Sequence, residues 1–186
     1  MEPTADPTPG TAAPQPRWRV SRRARKAALI VHILSSGAWV GIDVIVAVLV
    51  ATGWFAADTA VRVLAYQALG RFVVAPMLAA GLVCLASGII HGVGSRYGLV
   101  RYWWVAVKLA MNVVLCTLIV VALRPGMNEV VAHGRLLAAD GVSTIDVSSL
   151  FFPPAVSLTA LTFATILAVA RPWGLIRRPR RQSAGR

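Results

Sequence analysis

Long runs of apolar residues alternate with short polar segments along most of the chain. Four of these runs are long enough to cross a bilayer, which a helix spans with about 20 residues. They cover approximately residues 27–52, 72–93, 102–123 and 155–171. Lipid offers no hydrogen-bonding partners to the backbone, so runs of this kind form helices. The pattern therefore predicts an all-α fold, a bundle of four transmembrane helices.

Two of the connecting segments carry helix signals. Asp58 is a suitable N-cap for a helix through "TAVRVLAYQALGRF", and Pro76 should kink the second span that follows it. Asn128 is a suitable cap for the segment "EVVAHGRLLAAD", which Gly141 would end. We therefore expect a short extracytoplasmic helix in the loop of residues 124–154.

Charge is concentrated outside the apolar runs. Hydrophobic residues make up 57% of the 186 residues and charged residues 14%, with 19 Lys and Arg against 7 Asp and Glu. Residues 1–26 are predicted to form a disordered basic tail, 27–171 the membrane domain, and 172–186 a basic cytoplasmic tail. The net charge of +12 favours an anionic partner. Beside runs this apolar, that partner is the lipid bilayer, with anionic headgroups at the basic tails, and not nucleic acid.

The basic residues also predict how the spans are oriented, because cytoplasmic loops carry an excess of Lys and Arg. Four basic residues flank the spans on one side: Arg62, Arg71, Arg124 and Arg135. Fourteen lie on the other: Arg17, Arg19, Arg22, Arg23, Arg25, Lys26, Arg96, Arg101, Arg171, Arg177, Arg178, Arg180, Arg181 and Arg186. This predicts a multi-pass protein of the plasma (inner) membrane with both termini in the cytoplasm.

The first span carries polar residues along one stripe. His32, Ser36, Trp39 and Asp43 recur at i, i+4, i+7 and i+11, which places them on one helix face. Polar groups inside spans turn towards the bundle interior, because lipid does not solvate them. This face is therefore predicted to look inward.

The third span adds Lys108 and Asn112 to this predicted polar interior. Asp43 lies much deeper than Lys108, and helical side chains lean towards their own N-terminus, so Lys108 is a poor partner for Asp43. By depth, Asp43 is predicted to face Asn112 and the hydroxyl of Ser157 or Thr159.

Small residues suggest how the helices pack. Gly37 and Gly41 form a GxxxG pair on the opposite face of span one, and Gly81 and Gly88 lie on one face of span two. Such residues let two backbones approach closely. We favour a hairpin of spans one and two packed through these glycines, and a homodimer through span one is the alternative.

Some polar residues could bind a cofactor. His32 and His91 have similar depths and could ligate a b-type haem between two helices. Met77, Cys84 and His91 recur every seven residues and include soft ligands suited to copper. Interfacial histidines and a packing face explain the same residues without a ligand, so we expect no cofactor, with haem b or copper as the alternative.

Two motifs resemble those of an uncharacterised family of four-span membrane proteins that is frequent in actinobacteria. The first lies in "HILSSGAWVGID" and comprises His32, Trp39 and Gly41. The second lies in "RYGLVRYWWVAVKL" and comprises Gly98, Leu99, Arg101, Trp104 and Lys108. The span-one motif is also similar to that of copper-resistance membrane proteins of the CopD type. The resemblance covers approximately residues 27–171 and implies the four-span fold without an activity.

The chain has no sequence motif typical of catalysis. HExxH, G-x-S-x-G and a P-loop are all missing from the sequence. We therefore predict a non-enzymatic membrane protein with no catalytic residues. It would act as a membrane subunit or a small permease-like module with a polar interior, with a homodimer or a membrane complex as its assembly. The alternative is a haem- or copper-handling four-helix membrane protein.

Overall fold

The computed structural model describes residues 21–93 and 102–170, and this part of the chain is almost entirely helical. Its six α-helices are α1 (Arg22–Phe55), α2 (Thr59–Phe72), α3 (Val74–Val93), α4 (Trp103–Leu118), α5 (Arg124–Asp140) and α6 (Phe152–Ala170). A π-helical segment, Ile119–Leu123, joins α4 to α5, and a 3-10 turn, Ser148–Phe151, precedes α6. Four segments are long and apolar enough to cross a membrane: Arg22–Phe55, Val74–Val93, Trp103–Asp140 and Ser148–Ala170. The protein is thus an all-α, multi-pass integral membrane protein, as predicted.

The first helix begins earlier than expected. Ser21 caps it by accepting a hydrogen bond from the Ala24 N–H at 3.2 Å. Residues 22–26 therefore belong to α1 rather than to the basic tail. Residues 1–20 and the C-terminal tail lie outside the described residues. At about 1.5 Å per residue, the 34 residues of α1 are longer than a hydrocarbon core of about 30 Å.

The proline of the second span acts at the start of its helix. Asp58 caps α2, as predicted, and accepts from the Ala60 N–H at 2.8 Å. The helical path then breaks at Val73, and Pro76 lies in the first turn of α3. Proline has no N–H to donate to the carbonyl four residues before it, here that of Phe72. The expected kink inside the span is therefore a break that makes α2 a separate helix.

The third span and the predicted short helix are one continuous helical segment, Trp103–Asp140. A helix start at Asn128 is wrong, because α5 begins at Arg124, although Gly141 does end it with a φ of 72°. Pro125 accounts for the π-helical segment before it, because proline has no N–H to donate to a helical backbone hydrogen bond. The neighbouring Arg124 N–H donates five residues back, to Ile119 O. Segments of this kind are frequent at functional sites.

Four spans bring both ends of the described chain to the same side of the membrane. The α2 helix, the α5 helix and residues 141–151 lie together at the opposite side, which we call the outer end. There α2 packs mainly against α5, and Gly70 lies close to that helix: a Cβ on it would be 2.9 Å from Met127 O. Tyr66 of α2 is buried against His133 of α5, with ring centroids 4.6 Å apart. The two helices therefore form a packed cap over the spans.

The central helix is α1, which packs most extensively against α3. The expected pairing of spans one and two is present, but its predicted contact face is wrong. Gly81 approaches the ring of Trp39 and Gly88 that of His32, whereas a Cβ added to Gly37 or Gly41 would have no atom within 4 Å. The large polar and aromatic side chains of α1 fill the space beside α3, and this turns the GxxxG pair outward.

Candidate binding cavity at the outer end

The polar stripe of α1 faces the bundle interior, as predicted. Trp39 and Asp43 are both 0% exposed, and His32 and Ser36 are half-buried against α3. Ser157 Oγ on α6 donates to Asp43 Oδ2 at 2.6 Å. The other carboxylate oxygen, Oδ1, is buried and has no hydrogen-bond partner among the described residues.

The other proposed neighbours of Asp43 have different partners. Thr159 is exposed, and its hydroxyl donates to Ala155 O at 2.7 Å. Asn112 Oδ1 accepts from Cys116 Sγ at 3.5 Å, within α4. Of the three expected partners, only Ser157 therefore forms a hydrogen bond with the carboxylate.

Asp43 and Ser157 line a cavity of about 370 Å³ between the spans and the cap. Its walls are mainly aliphatic and thioether side chains, among them Met77, Leu115, Ile119, Met127, Val130 and Leu150. Glu129 of α5 and Asp146 also line it, and both are exposed to solvent. The cavity therefore joins a buried carboxylate to an acidic, solvent-exposed mouth through apolar walls.

The π-helical segment and the glycine after it form part of one cavity wall. Ile119, Ala122 and Leu123 line it, followed by Gly126. A Cβ built on Gly126 would have no atom within 4 Å. The wider π turn and the missing side chain together leave open space between α5 and the start of α6.

The loop at the mouth holds an ionised carboxylate in place. Asp146 Oδ1 accepts from the Ser148 N–H at 2.8 Å. This backbone hydrogen bond is the main cause that lowers the pKa of Asp146 below its ordinary value, because it stabilises the charged form. Asp146 is therefore negatively charged at neutral pH.

A second polar cluster lies towards the opposite, inner end, between α1 and α3. His32 Nδ1 donates to Cys84 O at 2.9 Å and lies 3.3 Å from Ser87 Oγ. Ser36 Oγ lies 3.2 Å from Cys84 Sγ. Cys84 and Cys116 are both buried and free. These contacts join the two helices by hydrogen bonds.

The candidate cofactor ligands are distributed along α3. Met77 lines the outer cavity, and Cys84 contacts His32 in the inner cluster. His91 lies near the inner end, and its buried Nδ1 has no hydrogen-bond partner among the described residues. Within residues 21–93 and 102–170, no three His, Cys, Asp or Glu side chains are arranged to hold a metal ion. The stripe of Met77, Cys84 and His91 is therefore not a single site.

Lys108 leans away from Asp43, as its position on the helix predicted. Its Nζ lies 5.0 Å from the centroid of the Trp104 ring, one turn towards the N-terminus of α4. This contact carries the charge towards the inner end of the span. Lys108 therefore belongs to the inner boundary and not to the cavity.

Three residues that line the cavity were not predicted from the sequence: Gly126, Glu129 and Asp146. Glu129 is exposed on α5, whereas His133, one turn later, is buried and its Nδ1 donates to Ile145 O at 3.0 Å. The Pro125–Gly126 pair at the end of an apolar run was the available signal for an irregular helix there.

No protein-family model, no curated protein and no solved structure matches the chain.

Proposed function

We propose that the protein is a non-enzymatic membrane subunit or small permease-like module that binds a ligand in the outer cavity. The observation that carries the proposal is Asp43, which is fully buried, lines the cavity and has one oxygen without a partner among the described residues. A buried carboxylate in a span is costly unless it is paired, and such residues commonly mark ligand or ion pathways.

A purely structural role would account for only part of this arrangement. A hydrogen bond between two spans contributes about 1 kcal/mol, and the contact of Ser157 with Asp43 is of that kind. It explains neither the open volume beside the pair nor the second, unsatisfied oxygen. Both features fit a site in which a bound ligand is the missing partner of Asp43.

The chemistry of the cavity favours binding over catalysis. In the described part of the chain its lining provides carboxylates, serine hydroxyls and thioethers, but no His, Cys or Lys side chain. The Ser–His, Cys–His and Ser–Lys pairs that many hydrolases use therefore have no counterpart in this lining. This supports a protein that holds a molecule without transforming it.

The charge distribution supports a plasma-membrane location with both termini in the cytoplasm, which makes the outer end extracytoplasmic. The basic tails then meet the anionic headgroups of the inner leaflet. The outward-facing Gly37 and Gly41 are open to a second copy or to another membrane subunit. The resemblance to the four-span family agrees with this arrangement.

Cysteine accessibility tests the proposed cavity. We expect Gly126→Cys in the cavity wall and Ser157→Cys beside the buried Asp43 to react with the neutral reagent methyl methanethiosulfonate. A thiol reacts as its thiolate, which forms where water reaches it. The measurement is the rate of mixed-disulfide formation at each position in proteoliposomes, followed by mass spectrometry.

The matched control is Gly37→Cys, which also has open space around it but faces outward from the bundle. We expect it to react at least about tenfold more slowly, because a thiol surrounded by lipid does not ionise. The unsubstituted protein corrects for Cys84 and Cys116. Equal, slow rates at residues 37, 126 and 157 would refute an aqueous binding cavity.

A haem- or copper-handling function is the second candidate, and one contact favours it. The hydrogen bond from His32 Nδ1 to Cys84 O leaves Nε2 as the nitrogen for a metal, an arrangement common among metal-bound histidines. We nevertheless expect the purified protein to show no Soret absorption band and no stoichiometric copper, since His32 joins α1 to α3 through Cys84 and Ser87. A Soret band or bound copper that His32→Ala abolishes would establish this alternative instead.

A further inference from the structure

The charges that line the outer cavity are opposite in sign to the protein as a whole. The chain carries a formal net charge of +12 and only seven Asp and Glu residues. Three of the seven line this cavity, and no Lys or Arg of the described chain does so. A concave site lined by one sign of charge between apolar walls concentrates counter-ions of the other sign. The local field therefore favours cations and opposes anions.

The three carboxylates stand at two levels. Glu129 and Asp146 are exposed at the mouth, where they attract a cation from solution. Asp43 lines the cavity and is 0% exposed. Its Oδ1 has no hydrogen-bond partner among the described residues. A cation in the cavity therefore lies next to a buried carboxylate, one oxygen of which has no partner in that part of the chain.

The walls around Asp43 offer few ligands to a bare metal ion. Ca²⁺ takes six to eight oxygen ligands, and Mg²⁺ needs six in octahedral geometry. Beside Asp43 the cavity offers the hydroxyl of Ser157, already donated to the same carboxylate, and then aliphatic and thioether side chains. A suitable cation must therefore carry its own apolar surface.

We propose that the outer cavity binds an organic cation with one positive charge and an apolar body, and that Asp43 is its counter-ion. This inference rests on the proposed binding function and specifies its ligand class. The volume of about 370 Å³ lies within the range of small-molecule sites. The apolar body packs against side chains such as Met77, Met127 and Leu150. Glu129 and Asp146 attract the cation from solution to the mouth, and its charge then lies next to Asp43.

Charged thiol reagents of similar size test the preference for cations. We expect the trimethylammonium-ethyl methanethiosulfonate to react with Gly126→Cys about tenfold faster than the sulfonatoethyl reagent, after each rate is divided by that for free cysteine. Combining Gly126→Cys with Glu129→Gln and Asp146→Asn should bring the two rates within about twofold of each other. Asp140→Asn is the matched control, because Asp140 is an exposed acid of α5 that does not line the cavity, and it should leave the ratio unchanged.

Protection by benzyltrimethylammonium tests the role of Asp43. This cation should slow the reaction of the neutral methyl reagent at Ser157→Cys, whereas sodium or 3-phenylpropionate at the same concentration should not. Asp43→Asn should bring the ratio of the rates with and without the cation to about one, because asparagine has nearly the same shape without the charge. The ratio is the readout because Asp43 contacts residue 157, so its charge also affects the unprotected rate of a thiol there.

The outcomes separate the two proposals. If the neutral reagent reacts at neither Gly126→Cys nor Ser157→Cys, the binding cavity itself is refuted. If it reacts at both, but cationic and anionic reagents are equally fast or 3-phenylpropionate protects, the cavity stands and the cation preference is wrong. Protection by sodium would refute the requirement for an apolar body, and protection that survives Asp43→Asn would refute the counter-ion role.

Discussion

Replacing Trp39 with alanine is expected to destabilise the protein by about 3–5 kcal/mol, the range for a buried aromatic side chain. Trp39 is 0% exposed, and its ring packs against Gly81 of α3, the helix with which α1 has its most extensive contact. Its Nε1 has no hydrogen-bond partner among the described residues, so the loss is one of packing. In lipid, packing of this kind is what joins helices. Equilibrium unfolding in mixed micelles measures the change.

Trp103→Ala is the matched control for this prediction. Trp103 is the first residue of α4 and is 53% exposed, so its removal leaves no internal cavity. We expect less than about 1 kcal/mol, as for most exposed substitutions. Similar losses for the two variants would mean that Trp39 does not organise the contact between α1 and α3.

Gly70→Ala is expected to destabilise the outer cap by about 1–3 kcal/mol, the usual range for overpacking. A Cβ at Gly70 would overlap the Val131 side chain and lie 2.9 Å from the backbone oxygen of Met127. The side chain of Val131 can rotate, but the backbone of α5 has to move. We expect α2 to separate from α5 more readily, which hydrogen exchange of the α2 amides reports.

Gly126→Ala is the matched control, since it makes the same glycine-to-alanine change at a position with free space. It also lies in a helix, but its added methyl group would meet nothing within 4 Å. We expect stability to be unchanged or slightly higher, because alanine favours helix over glycine by up to about 1 kcal/mol. A destabilised Gly126→Ala beside an unaffected Gly70→Ala would contradict the described packing of α2 on α5.

Much of the fold could be predicted because it depends on properties of single segments. Each span is defined by its own length and apolarity, since the bilayer acts on every helix separately. The inward direction of Trp39 and Asp43 follows in the same way, from their spacing on one helix and the inability of lipid to solvate a carboxylate. The Asp58 cap and the end of α5 at Gly141 are also local, because each depends on one residue and its nearest backbone groups.

Partner choice between helices was predicted less well. Depth along the helices correctly predicted Ser157 as a hydrogen-bond partner of Asp43. It predicted Asn112 and Thr159 as partners equally well, although both form other hydrogen bonds. The rotation of each helix about its axis selects among residues at one depth, and packing against all neighbours fixes that rotation. For the same reason the GxxxG pair of α1 faces outward, although its sequence is as suitable for packing as the face that contacts α3.

The number of spans, the limits of the first two to within five residues, and the face of α1 that carries the buried carboxylate could thus be predicted from the chain alone. The packing of the helices was needed to show that the third span continues through a π-helical segment into α5. It was also needed to place Glu129 and Asp146 at the mouth of the cavity that Asp43 lines. The physical reason is that a cavity is space left between elements. It depends on a proline-induced register shift, a glycine without a side chain and the path of a loop, all set by how distant segments meet.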